Sequence, residues 1–132
     1  FITAILGRLN IEKKEMEFIN MGHEPMMVLE KDFNFEYIQS TLPPSGLMPV
    51  KDESFFKTTT MNITDKTILI YTDGVTEGYV DEGKELEVAG LEKEIKILNT
   101  TAPDVIINHA TKILTEKGFA LRDDITALGI KL

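Results

Sequence analysis

The chain contains no cysteine. Disulfides, zinc–thiolate sites and thiol nucleophiles are therefore excluded, and the composition fits a reducing, cytoplasmic setting. It also lacks any apolar run near the roughly 18 residues needed to span a bilayer. No signal peptide is visible, because the opening Phe1-Ile-Thr-Ala-Ile5 has neither a basic leader nor a cleavage site. Basic residues are scarce: 14 Lys and Arg stand against 22 Asp and Glu, a formal net charge of −8. There is no basic cluster, which argues against nucleic acid and against direct contact with an anionic membrane, since both need Lys and Arg facing phosphates. Most of the acids read as a solubilising surface.

What remains is an ordinary globular composition, with 42% apolar and 27% charged residues in 132 positions. That length holds one domain with a real core, residues 1–132, and is too short for two. The chain starts on Phe rather than Met, in a stretch that already looks like a strand. The expectation is a domain whose N-terminal part lies outside this sequence.

Apolar alternation predicts strands at Phe1–Ile11 and Met16–Met21, short ones at Met26–Leu29 and Phe35–Ile38, and an edge strand within Glu53–Thr60. Gly22-His-Glu-Pro25 and Pro43-Pro-Ser-Gly46 read as turns. Ile68–Tyr71 and Ile125–Leu132 are apolar on both faces and are expected to be central strands covered on two sides. Between them the period changes. Val88, Leu91, Ile95 and Leu98 predict one amphipathic helix, and Ile106, Ala110, Ile113 and Leu114 a second. For the second, Thr101 is the expected N-cap, with Asp104 three residues on, Pro103 in the first turn and Gly118 as the stop. Strands, then helices, then one strand make an α+β layered fold with a largely antiparallel sheet.

Two groups of acids stand beside the two most apolar strands. Asp73-Gly74 ends Thr67-Ile-Leu-Ile-Tyr-Thr, and Asp123-Asp124 opens Ile125-Thr-Ala-Leu. If those strands are antiparallel neighbours, the acids meet at one rim of the sheet. Carboxylates there, with Gly74 allowing close backbone approach, suit a hard cation such as Mg²⁺ or Mn²⁺. The plainer readings are a common Asp-Gly turn and an acid pair compensated by Arg122. His23 is expected to make a structural hydrogen bond within its turn, although a histidine can serve as a general acid. Met26-Met27 and Phe55-Phe56 read as core or interface filler. Ser45 and Ser54 lack convincing His and acid partners, which argues against a serine hydrolase.

Four motifs occur in a telling order: Asn20-Met-Gly-His-Glu-Pro25, Ser45-Gly-Leu-Met-Pro49, Ile70-Tyr-Thr-Asp-Gly-Val-Thr-Glu77 and Arg122-Asp-Asp-Ile-Thr126. Together they resemble the metal-dependent protein phosphatase (PPM) family, in its bacterial SpoIIE-like branch, over nearly the whole chain. The resemblance implies an α-β-β-α sandwich with a binuclear Mn²⁺ or Mg²⁺ site between the sheets. It implies hydrolysis of phosphoserine or phosphothreonine without a covalent phosphoenzyme. Asp73 and Asp123 would be metal ligands. Gly74, Asp124 and Glu77 would stand behind them; Asp124 occupies a place where related members often carry asparagine. The family's Gly-Asp motif, which supplies the other metal ligands, has no counterpart before Asp73, so this chain is expected to hold only part of the site and to be weakly active or inactive alone. The implied substrate is a phosphorylated protein such as an anti-sigma-factor antagonist, and there is room for an upstream sensor or regulatory domain. Two other readings stand beside the phosphatase. One is a non-catalytic partner-binding module of the same fold. The other is an aspartate-nucleophile hydrolase, which ranks last because Tyr71 and Val75 occupy the positions where a second aspartate is wanted.

Overall fold

A computed structural model describes residues 1–116 and 123–132. The expected stop at Gly118 and the pairing role of Arg122 lie outside the described residues. Two antiparallel sheets stack on each other, and two helices cover the far face of the larger one.

The smaller sheet is built from β1 (Ala4–Asn10), β2 (Glu15–Met21) and β5 (Thr59–Asn62), in the order β1-β2-β5. Strand β2 alternates cleanly, with Met16, Phe18 and Asn20 buried and their neighbours half-exposed. The larger sheet runs β4-β3-β6-β9, from β3 (Met26–Glu30), β4 (Phe35–Ile38), β6 (Lys66–Tyr71) and β9 (Ala127–Ile130). Strand β3 is apolar on both faces because both are covered. Met26 and Val28 join Ile68, Met16 and Phe18 between the sheets, whereas Met27 and Leu29 join Leu69 and Tyr71 under the helices. Each such fully buried side chain contributes roughly 1.5–3 kcal/mol by leaving water.

The helices are α1 (Asp73–Thr76), α2 (Glu87–Leu98) and α3 (Pro103–Thr115). Leu91 and Ile95 of α2 and Ile106, Ala110 and Leu114 of α3 form the covering side of the core. Helix α2 stops at Asn99, which turns left-handed (φ 51°) so that its N–H reaches the carbonyls of Ile95 and Lys96. Between α1 and α2, β7 (Tyr79–Asp81) and β8 (Lys84–Glu85) make a hairpin that the sequence pattern did not reveal.

Three expectations need correction. Helix α3 is capped at Ala102 rather than Thr101, and no side chain caps it. The Thr101 carbonyl is engaged by the Thr67 hydroxyl and its own hydroxyl by Lys131, so the residue serves the sheet. The Glu53–Thr60 segment is a short 3-10 helix, Glu53–Phe55, started by Asp52, and the edge strand β5 follows it. Finally, β9 is an edge strand of its sheet among the described residues, not a central one, and Leu128 is 55% exposed. Apolarity misled there because Gly129 is small for a local reason. A methyl group on Gly129 would sit 2.3 Å from Pro103 Cβ, so a small residue lets α3 close on the sheet.

Candidate functional site at the rim of the larger sheet

Strands β6 and β9 pair antiparallel, with Tyr71 opposite Ala127. The end of β6 therefore meets the approach to β9. Thr72 closes the junction. Its N–H donates to the Thr126 carbonyl (3.0 Å), its hydroxyl donates to the Asp124 carbonyl (3.2 Å), and the same hydroxyl oxygen accepts from the Thr126 N–H (3.2 Å). Sequence reasoning passed over Thr72, although a threonine in each of the two acid motifs was the available signal.

Asp73 then opens α1. Its carbonyl accepts from the Glu77 N–H (2.8 Å) and the Thr76 hydroxyl (3.2 Å), which fixes the short turn. Gly74 is buried, and a Cβ there would lie 2.2 Å from the Asp124 carbonyl oxygen and 2.9 Å from its carbon. The expected close approach is thus real, and its partner is the backbone of the acid pair. Asp123 folds back so that its carboxylate accepts from the Asp124 N–H at 2.7 Å. Asp73, Asp123, Asp124 and Glu77 are all exposed.

A second loop joins this rim. Asn20 at the end of β2 is buried, at 1% exposure. Its Oδ1 accepts from the His23 N–H (2.9 Å), and its Nδ2 donates to the Glu24 carbonyl (3.2 Å). His23 Nδ1 lies 3.3 Å from the same carbonyl, the structural hydrogen bond expected for this turn. Thr3, Gly22, His23, Glu24, Thr72 and Asp73 line a cleft of about 140 Å³. Proximity of His23 and Glu24 to Asp73 could not be read from a separation of fifty residues.

Behind the rim lies Tyr71, 4% exposed. Burial pushes its hydroxyl up to about 12, and the Glu24 and then Glu92 carboxylates add to the shift. Burial likewise raises Tyr37, whose hydroxyl donates to Glu92 of α2. For Tyr71 the fold favours the neutral phenol. Its contribution is fully present below the ordinary value near 10 and is lost as pH rises toward about 12. Tyr71→Phe is therefore expected to flatten the fall in stability over that window and to remove the part of the phenolate absorbance that develops there, while the still later rise that belongs to Tyr37 stays. A spectrophotometric titration beside urea melts at each pH checks both.

The donor chemistry of the rim fits an oxygen-preferring divalent cation: exposed carboxylates, none ion-paired to Lys or Arg among the described residues. The donor number is smaller than a closed site needs. Among the described residues, no three His, Asp or Glu side chains converge as a ready metal site.

Solved structures that share these stacked antiparallel sheets are phosphatase domains of the PP2C type. The manganese-presoaked phosphatase domain of SpoIIE from Bacillus subtilis superposes with a TM-score of 0.68 at 15% identity, over 98% of this chain and 56% of that one. The chain belongs to the Stage II sporulation protein E (SpoIIE) family, whose family model matches residues 1–132. The phosphoserine phosphatase RsbU of Bacillus subtilis is 26% identical over 99% of this chain and 39% of its own length. Protein IcfG of Synechocystis sp. is 36% identical over 58% of this chain and 12% of its own. The chain thus spans 39% and 12% of the length of these two curated relatives.

Proposed function

We propose that this chain is part of a metal-dependent phosphoserine/phosphothreonine protein phosphatase. Its substrate in this reading is a small phosphorylated regulator, of the anti-sigma-factor-antagonist kind, in bacterial sigma-factor or stress signalling. The observation that carries the reading is the rim itself. In a chain that matches the SpoIIE family from end to end, the Asp73 and Asp123 motifs meet where β6 ends and β9 begins.

In this proposal Asp73 and Asp123 hold the metal. Further ligands are needed in this reading, and the resemblance assigns them to a Gly-Asp motif that these 132 residues do not show. A bound pair of Mn²⁺ or Mg²⁺ ions supplies neutralisation of the phosphoryl oxygens and acidifies water at neutral pH. The chain's own residues do the holding and aiming. Thr72 and Gly74 fix the Asp124 backbone against the turn that carries Asp73, which sets the spacing of the two ligands. Asp124 and Glu77 add negative charge behind them. Overall, water forms the new P–O bond, the ester P–O bond breaks, and the released serine oxygen takes a proton.

The test is phosphate release from a phosphoserine protein by the intact protein, with Mn²⁺ and with chelator. Turnover that requires Mn²⁺ supports the proposal; a Mn²⁺-loaded protein that releases no phosphate from any phosphoserine or phosphothreonine substrate refutes it. The 132-residue chain alone is expected to bind Mn²⁺ weakly and to turn over little, because no three donor side chains converge among the described residues. The same shortage favours the second reading, a partner-binding module of this fold without turnover. That reading predicts capture of the phosphorylated regulator with no phosphate released.

A further inference from the structure

Asn20 is one of only two buried polar or charged residues found among the described residues, and its hydrogen bonds go to a single loop and its neighbour. Its side chain grips the loop at His23 N–H and Glu24 C=O. Its backbone carbonyl accepts from the Leu42 N–H (3.3 Å) and lies 3.1 Å from the Ser40 hydroxyl, which sits closer still to the Leu42 carbonyl (2.6 Å). Ser40 Oγ in turn accepts from the Gly22 N–H at 2.7 Å. Gly22 is left-handed (φ 65°), and a Cβ there would meet the Pro44 ring at 2.4 Å. The Gly22–Glu24 loop is therefore clamped on one side by Asn20 and on the other by Ser40 and Pro44. What it presents is one wall of the cleft whose other wall is Thr72 and Asp73. Of the residues lining that cleft, the His23 ring and the threonine hydroxyls suit phosphate oxygens, while the Glu24 and Asp73 carboxylates repel them unless a bound cation stands between.

We infer that Asn20 is a positioning residue: by fixing the Gly22–Glu24 loop it sets how a phosphate group seats against Asp73. This rests on the phosphatase reading of the cleft. A buried amide that satisfies both a donor and an acceptor of one loop has no apolar substitute of equal effect, because truncation frees two backbone groups at once. A small displacement of a wall lowers the affinity of what it seats.

The experiment is calorimetric titration of inorganic phosphate into the Mn²⁺-loaded intact protein, well below its melting temperature. It compares wild type with Asn20→Ala, Ser40→Ala and Ser40→Thr. Asn20→Ala is expected to weaken phosphate about tenfold, the low end of what loss of a residue that orients a binding group costs. Ser40→Ala is expected to weaken it less, and Ser40→Thr, which keeps the hydroxyl, to restore it. Mn²⁺ affinity should stay within about twofold throughout, since none of these residues holds the metal. A merely structural role would lower the melting temperature and leave phosphate affinity unchanged. Folded Asn20→Ala and Ser40→Ala proteins that bind phosphate like wild type overturn the inference. So does a wild type that binds no phosphate, or failure of both alanine variants to fold. If wild type binds phosphate yet hydrolyses no phosphoserine substrate, the phosphatase reading fails while the phosphate affinities still decide the role of Asn20.

Discussion

Gly74→Ala is expected to destabilise the protein by about 2–3 kcal/mol and to abolish the metal response, the upper part of the range for overpacking a close contact. The added methyl would lie 2.2 Å from the Asp124 carbonyl oxygen. Neither side can yield easily. Asp124 C=O is held by the Thr72 hydroxyl, and Thr72 is tied again to Thr126 through its N–H. On the other side, Asp73 is fixed by the turn that its carbonyl makes with Glu77 and Thr76. Relief must come from moving the end of β6 away from the approach to β9, which separates Asp73 from Asp123. Urea denaturation measures the first effect and Mn²⁺ titration the second. An alanine variant with wild-type stability and metal response would show that the junction is loose.

Asp73→Asn and Asp123→Asn are expected to reduce phosphatase activity of the intact protein by on the order of 100-fold or more, with stability changed by no more than about 0.5 kcal/mol. The separation of the two effects follows from placement. Both side chains are exposed, and neither is ion-paired to Lys or Arg among the described residues. Removing a negative charge from a chain of net charge −8 carries no folding penalty of its own. Asn keeps the shape and one acceptor oxygen, so Asp123→Asn can still receive the Asp124 N–H. What it loses is the charge that holds a hard cation. Initial rates on a phosphoserine protein, with melting curves of the same preparations, check the pair. Equal loss of fold and activity would assign the acids a structural role instead.

The junction was legible in the sequence where it rests on alternation and strand ends. A strand apolar on both faces that finishes on Asp-Gly, and another that starts after Asp-Asp, were enough to anticipate that the end of β6 meets the approach to β9, whereas no three acid side chains converge there among the described residues. The helices were legible too, because α2 and α3 carry their buried residues at three- and four-residue spacing. What failed were features decided by neighbours in space. Thr101 has the composition of an N-cap, yet its hydroxyl is taken by Lys131 and its carbonyl by Thr67. The rank of β9 in its sheet depends on strand order, which apolarity does not encode. The 22–24 loop reaches Asp73 because it leads into β3, which pairs antiparallel with β6, and strand pairing is not written in either segment alone, so Asn20 reads as an ordinary polar residue until its contacts are seen. Thr72 escaped because its hydroxyl acts across the β6–β9 junction.

Mn²⁺ titration calorimetry on this chain, beside Asp73→Asn and Asp123→Asn, asks whether the two acids share a metal site. The wild type is expected to bind weakly, and both variants to lose that binding while remaining folded. Variants that bind Mn²⁺ as the wild type does would contradict it, because the two acids would then share no metal site.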